Sequence, residues 1–303
     1  MNAYQTETNQ QTAVGGLSAF LAFLIWGLSP IYWKALGRVE AFEIILHRVI
    51  WSFVFLMPLV LIGRQWEEFK SAVKNGRILG ILLVTSILVG ANWLIYIWAV
   101  NNGRVLQASL GYYINPLVNI LLGMVFLGER MRRPQLLAVA LATTGVLYLT
   151  LQYGVFPWVS LALAFSFGVY GLIRKVAAVG ALVGLTVETL LLTAPAGFWV
   201  LYLHQNQSGT FLKSGLSIDL LLIGTGILTA TPLLLFNLGA KRITLATLGF
   251  IQYTAPTGML LLGITVFNEP FTRSQAVTFG LIWTALAVYS WDTVRAHRKP
   301  PSQ

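Results

Sequence analysis

The chain contains no cysteine. Disulfide frameworks and thiolate metal sites are therefore excluded, and the redox state of its compartment leaves no trace in it. Charge is scarce as well: 10% of the 303 residues are Asp, Glu, Lys or Arg, against about 25% in a soluble domain. The only aspartates are Asp219 and Asp292, and the only histidines are His47, His204 and His297. A catalytic or metal centre needs clustered His, Asp or Cys ligands, or a nucleophile beside its base. Residues this scattered predict neither an enzyme nor a metal site, and no cofactor. No G-x-x-x-x-G-K-[ST] phosphate loop is present, which argues against ATP-driven work within the chain. The net charge of +10 lacks the long basic face that nucleic acid would require.

Long apolar runs fill the rest. Residues of hydrophobic type make up 56% of the chain, in stretches of roughly 20, the length that spans a ~30 Å hydrocarbon core as a helix. Most runs are apolar all round, unlike the one-sided stripes of a soluble helix. They also lack the polar–apolar alternation of a membrane β-barrel. The fold class expected is an all-α membrane protein with ten transmembrane helices, at 16–36, 41–63, 77–100, 105–127, 134–151, 156–174, 181–203, 216–239, 244–267 and 273–292. The N-terminus has no basic n-region, so its first apolar run reads as a retained helix and not as a signal peptide.

Basic residues in alternate loops set the orientation. One side gathers Arg64, Lys70, Lys74, Arg77, Arg130, Arg132, Arg133, Arg174, Lys175, Lys241, Arg242, Arg295, Arg298 and Lys299. The other holds Lys34, Arg38, Arg104, Lys213 and Arg273. Fourteen against five predicts that both tails, 1–15 and 293–303, are cytoplasmic.

The chain also resembles itself. Residues 96–130, YIWAVNNGRVLQASLGYYINPLVNILLGMVFLGER, align without a gap on 236–270, FNLGAKRITLATLGFIQYTAPTGMLLLGITVFNEP. Tyr113 falls on Tyr253, Pro116 on Pro256, Gly123 on Gly263 and Glu129 on Glu269. Upstream, Gly27 and Lys34 fall on Gly168 and Lys175, and Glu43 on Glu188. The units run 16–151 and 155–292 and together make one membrane domain. Five spans are an odd number, so the second unit enters the bilayer inverted. Two halves of opposite polarity around a midplane site suit alternating access in a secondary transporter. A channel or facilitator without ion coupling is the alternative.

The segments LSPIYWKAL, EIILHRVIWS, NWLIYIWAVNNG, ASLGYYINPL and LGERM resemble the RarD branch of the EamA family, in the drug/metabolite transporter superfamily. The resemblance covers nearly the whole chain. It implies a ten-helix bundle of two inverted five-helix repeats in the bacterial inner membrane, exporting an amino acid, metabolite or drug. It supplies no catalytic or binding motif, so the candidate residues come from the sequence itself.

Ionisable and polar groups inside spans mark the candidates, because each is costly in hydrocarbon. Glu43 and His47 lie about 40° apart on one helix face, while Arg48 lies about 140° from Glu43 and needs a partner from elsewhere. Arg48 is expected to hold a solute carboxylate or fix a gate. Glu43, His47 and Glu188 are the candidates for coupling or gating, with structural charge pairing as the competing use. Asn92, Tyr96, Tyr112, Asn115, Asn119, Phe236, Asn237, Gln252 and Tyr253 are expected to line a cavity, or else to bridge helices. Pro30, Pro116, Pro232 and Pro256 are candidate hinges. Trp33, Trp66 and Trp158 read as interface anchors. Ala138, Ala142, Gly145, Gly280 and Ala285 give the fifth and tenth spans small-residue faces suited to close packing, or to a homodimer. The expected partners are a small-molecule solute and the lipid bilayer.

Overall fold

The computed structural model describes residues 3–298, except 103, 155 and 269. Glu269, the expected counterpart of Glu129, thus lies outside the described residues, as do 1–2 and 299–303. Among the described residues every regular element is a helix. They are α1 (Ala3–Leu28), α2 (Pro30–Ala35), α3 (Ala41–Ile62), α4 (Trp66–Lys74), α5 (Gly76–Asn101), α6 (Val105–Leu127) and α7 (Arg133–Tyr153). There follow α8 (Trp158–Val176), α9 (Ala181–Gln205), α10 (Leu216–Ala240), α11 (Leu245–Gln252), α12 (Thr254–Thr265) and α13 (Arg273–Arg298).

Among the described residues nine helical segments are long and apolar enough to cross a membrane. They coincide with the first nine expected spans. The tenth, α13, is 26 residues long, but its Gln, Ser, Thr, Trp and Tyr residues dilute its apolar ones. Helices suit a bilayer because they satisfy their own backbone hydrogen bonds where no water is present. α1 begins at Ala3, so the expected tail 1–15 is helical over most of its length.

Two spans are broken. The first stops at Leu28 and restarts at Pro30, where the missing N–H and fixed φ suit a helix start. The ninth is divided at Tyr253 into α11 and α12, with Pro256 in the first turn of α12. Pro116 and Pro232, by contrast, lie inside continuous helices. Gly128 and Gly154 end α6 and α7 in the left-handed region, at φ 64° and 65°, where glycine carries no Cβ penalty. The connection 64–76 contains the short amphipathic α4. It buries Phe69 and Ala72, starts on Glu67 and Glu68 and ends on Lys74, an order that suits the helix dipole.

Contacts sort the connections onto two faces. On the basic face the Glu68 carboxylate accepts from Gly180 N (2.8 Å), and Arg132 pairs with Asp292 (2.6 Å). Also there, Lys175 Nζ donates to the carbonyls of Ala240 (2.9 Å) and Ile243, and Lys241 Nζ to that of Ala177 (2.7 Å). On the opposite face Lys34 lies over Phe267 and Arg104 over Trp98 and Trp158.

Packing pairs run between the halves. α3 packs on α9 and α10, α1 on α10, α11 and α12, α6 on α8 and α11, α5 on α8 and α9, and α7 on α13. Small residues permit these approaches. A Cβ at Gly249 would stand 2.6 Å from Pro116 O, and one at Gly27 would stand 3.1 Å from Ala255 O. Ala138, Ala142 and Gly145 of α7 face α13, with Thr278 Oγ1 donating to Gly145 O (3.2 Å) and Ala285 in the same core. That stripe is therefore covered within the chain, whereas Gly280 faces no neighbour.

Candidate functional site

The expected site residues fall into four groups. The first surrounds Arg48. Its Nε donates to Thr229 Oγ1 on α10 (2.9 Å), and its guanidinium lies 4.9 Å from the Trp33 ring centre on α2 and 5.0 Å from that of Trp93 on α5. Tyr96 on α5 and Tyr112 on α6 are within electrostatic reach of it, with their rings 6.2 Å apart, edge to face. Arg48 lies seven residues into α3, about 10 Å from its end by helix rise. Tyr96 and Tyr112 are 36% and 38% exposed. Trp33, expected as an interface anchor, stands against Arg48 in this group. Cation–π contacts offset desolvation of the guanidinium by about 0.5–2 kcal/mol each.

Towards the face opposite the basic one α12 leaves α6 and lies chiefly on α1. Towards the basic face the two symmetric spans close on each other at Gly249 and Pro116, and a Cβ at Gly123 would stand 3.0 Å from Leu245 Cβ. Glu129, just past α6, accepts from Leu245 N (2.7 Å) and Ala246 N (2.9 Å). It thereby caps the positive N-terminus of α11.

The second group is a set of interlocked amides. Asn115 Oδ1 accepts from Gln252 Nε2, Asn119 Nδ2 donates to Gln252 Oε1 (2.7 Å), and Asn115 Nδ2 donates to Ala164 O (2.6 Å). All three amides are buried. Asn92 Nδ2 similarly donates to Leu163 O and Ser166 Oγ, both at 2.9 Å. The cavity expected for these amides is corrected: they tie α5, α6 and α11 together and to α8. Each such bond contributes ~0.6 kcal/mol in a membrane. Tyr253 is likewise in the core, donating to Tyr113 O (3.3 Å).

The third group closes the basic half. Glu188 on α9 accepts from Thr85 Oγ1 (2.6 Å) and Tyr170 OH (3.2 Å), and Tyr170 accepts from Asn237 Nδ2 (3.0 Å). Arg174 Nε stands 3.4 Å from Glu188 Oε1, in an ion pair whose side chains are 0% and 1% exposed. Arg174 Nη2 donates to Gly180 O (3.3 Å) and Ala181 O (3.2 Å). Phe236, expected in the cavity wall, is corrected to the core: it packs with Phe23, Trp26, Phe167 and Tyr170 as an aromatic plug. The sequence places Arg174 in a loop. Its neighbour Lys175 hides it, since an Arg–Lys pair reads as a helix end, and only the extension of α8 to Val176 places Arg174 inside. The orientation count is unaffected by moving one of fourteen.

Gly184 is the packing condition for this pair, because a Cβ there would collide with Arg174 Nη1. Gly184→Ala is expected to cost about 1–3 kcal/mol by overpacking, read as a lowered unfolding midpoint of the purified protein. An unchanged midpoint would show that Arg174 has room to move.

The fourth group is a clamp. Glu43 Oε1 accepts from Thr210 N (2.7 Å) and Phe211 N (3.1 Å), and Oε2 from Thr210 Oγ1 (2.5 Å). His47 Nδ1 accepts from Trp51 Nε1 (3.1 Å), and its Nε2 lies 4.0 Å from Glu43. Glu43 therefore fastens α3 to the connection after α9. Sequence reasoning misses Thr210, Thr229, Tyr170 and Thr85, hydroxyl groups with no signal of their own in apolar runs.

Comparison with known proteins now decides the family. The EamA-like transporter family matches residues 13–151. Protein RarD of Salmonella typhi is 47% identical over 290 residues, 96% of this chain and 99% of that protein. The chain belongs to the RarD branch of the EamA family. An uncharacterized transporter of Vibrio cholerae is 46% identical over 293 residues, 97% of each chain. A crystal structure that is 20% identical covers 91% of this chain and 97% of its own, with a TM-score of 0.70. At that identity it shows the shared fold alone. Membership in the EamA family, within the drug/metabolite transporter superfamily, makes this a multi-pass membrane protein of a transporter family.

Proposed function

We propose that the chain is a secondary carrier that moves a small organic solute out across the bacterial inner membrane by alternating access. One observation carries this reading: Arg48, a deep cation with no acid partner among the described residues, stands beside Trp33, Trp93, Tyr96 and Tyr112, while the basic half is closed by the Phe236 plug, the amide interlock and the Arg174–Glu188 pair. A continuous pore fits poorly with that seal.

The packing pairs support two inverted units, 16–151 and 155–292, with α13 as the tenth span. Exchanging the halves turns the pair α6–α8 into α12–α1, α5–α8 into α10–α1, and α3–α10 into α9–α5, all of which occur. The pairs α3–α9, α6–α11 and α7–α13 map onto themselves. The excess of Lys and Arg on the basic face supports cytoplasmic tails, which makes the closed half the cytoplasmic one. Asn92, Asn115, Asn119, Asn237, Gln252 and Tyr253 then act as the seam that must part, and Pro30, Pro116, Pro232 and Pro256 as points of bending.

Ion coupling is assigned to Glu188. Glu43 is engaged in its clamp, and His47 is tied to Trp51. In proteoliposomes, substrate flux is expected to respond to an imposed pH gradient, and Glu188→Gln to lose that response while Glu43→Gln keeps it. A wild-type flux indifferent to the gradient removes proton coupling. Interior accessibility at introduced cysteines tests the cycle itself: labelling near Asn115 from both sides supports alternation, and labelling from one side only rejects it.

A further inference from the structure

Arg48 is a deep cation for which the described chain supplies no anion. The other deep acids are engaged elsewhere. Glu43 is held by Thr210 and Phe211, and Glu188 by Arg174, Thr85 and Tyr170. Asp219 accepts from Leu212 N (2.8 Å), Glu129 caps α11, and Asp292 pairs with Arg132. Buried charges are paired as a rule, since leaving one unpaired in low dielectric is costly.

The geometry narrows the missing partner. Arg48 Nε is used by Thr229, and two indole rings flank the guanidinium at about equal distance. What is left is the edge formed by the two Nη atoms. That planar, two-donor edge matches a carboxylate in bidentate fashion. Within electrostatic reach of the guanidinium are the phenols of Tyr96 and Tyr112, flat rings with polar tips, 6.2 Å apart. Among the described residues Arg48 has no further cation and no acid as electrostatic partner, so a dianion would go half-matched and the ammonium of a zwitterion would lack its counter-ion.

We propose that the group around Arg48 binds a monocarboxylate with a flat, unsaturated body, the carboxylate on the two Nη atoms and the body on Tyr96 and Tyr112. This names the solute class of the carrier described above and rests on that reading only for the step from binding to transport. Such an anion completes the charge balance of the bundle. It also explains why the second half needs no arginine at Thr193, the residue aligned with Arg48.

The test uses the purified full chain in lipid nanodiscs, with benzoate and cinnamate as probes. Benzamide serves as the neutral isostere and phenylalanine as the zwitterion. Binding is read as a saturable rise in the unfolding midpoint and a change in tryptophan fluorescence. Both acids are expected to bind at least tenfold more tightly than benzamide or phenylalanine, and Arg48→Gln is expected to remove that advantage in a folded protein. Arg48→Lys keeps the charge but loses the planar edge, and is expected to weaken the acids about tenfold. It decides the question where Arg48→Gln does not fold. Equal binding of benzamide and benzoate, unchanged acid binding in the variants, or no response of the wild type to either acid overturns the proposal. Acid binding without flux in proteoliposomes would reject the carrier and leave the site. Flux of cations alone, without acid binding, would reject the site and leave the carrier.

Discussion

Replacing Arg48 with alanine is expected to abolish solute flux while leaving membrane insertion and folding intact. The side chain holds the helices together by one hydrogen bond to Thr229 and by contact with Trp33 and Trp93. Removing it takes a costly charge out of the bundle, so insertion has nothing to lose. A bound solute anion has everything to lose. Truncating one partner of a buried hydrogen-bonded charge pair costs about 2–5 kcal/mol, a loss of roughly 30-fold to a few thousandfold in affinity. Flux into proteoliposomes, normalised to the amount of protein inserted, is the measurement. Wild-type flux in Arg48→Ala would remove Arg48 from the mechanism.

The second large effect concerns stability. Arg174→Met leaves the Glu188 carboxylate opposed only by the hydroxyls of Thr85 and Tyr170. Breaking a buried pair by removing one partner costs about 3–5 kcal/mol, so the unfolding midpoint of the purified protein should drop sharply. Replacing both partners, Arg174→Met with Glu188→Leu, should recover most of the loss, because no uncompensated charge is left. Simple addition of the two single losses would show that the ions do not act as a pair. The double variant also separates fold from function. It is expected to be stable and yet to respond to no pH gradient, since its coupling carboxylate is gone.

Most of the fold can be read in the sequence because a bilayer imposes a simple rule: nine apolar runs form helices near their expected ends. The break at Pro30 follows from proline chemistry, and so does the one beside Pro256. The site is less legible, and for one physical reason. Hydropathy says that a polar group is buried but not what it meets. Asn115 and Asn119 are one helical turn apart, and that spacing lets both reach Gln252 across the interface. The same spacing would serve a cavity wall. Arg48 meets Thr229, Trp33 and Trp93 through contacts between spans far apart in sequence, which hydropathy cannot show. α4 escapes a hydropathy reading because nine residues with four charges look like any polar loop.

The two lysines that bind carbonyls on the basic face have a use of their own. Lys175 from α8 grips the end of α10, and Lys241 from the end of α10 grips the end of α8. Each helix end holds the other by an amine, and the ends cannot separate until both amines let go. Burial, with Arg174 nearby, holds the Lys241 ammonium below the usual lysine range. An acylating reagent confined to the basic side of the membrane would keep time. Exposed Lys74 would react at once. Lys175 and Lys241 would react only as often as the protein opens that face, and a transported solute would change their rate without touching them.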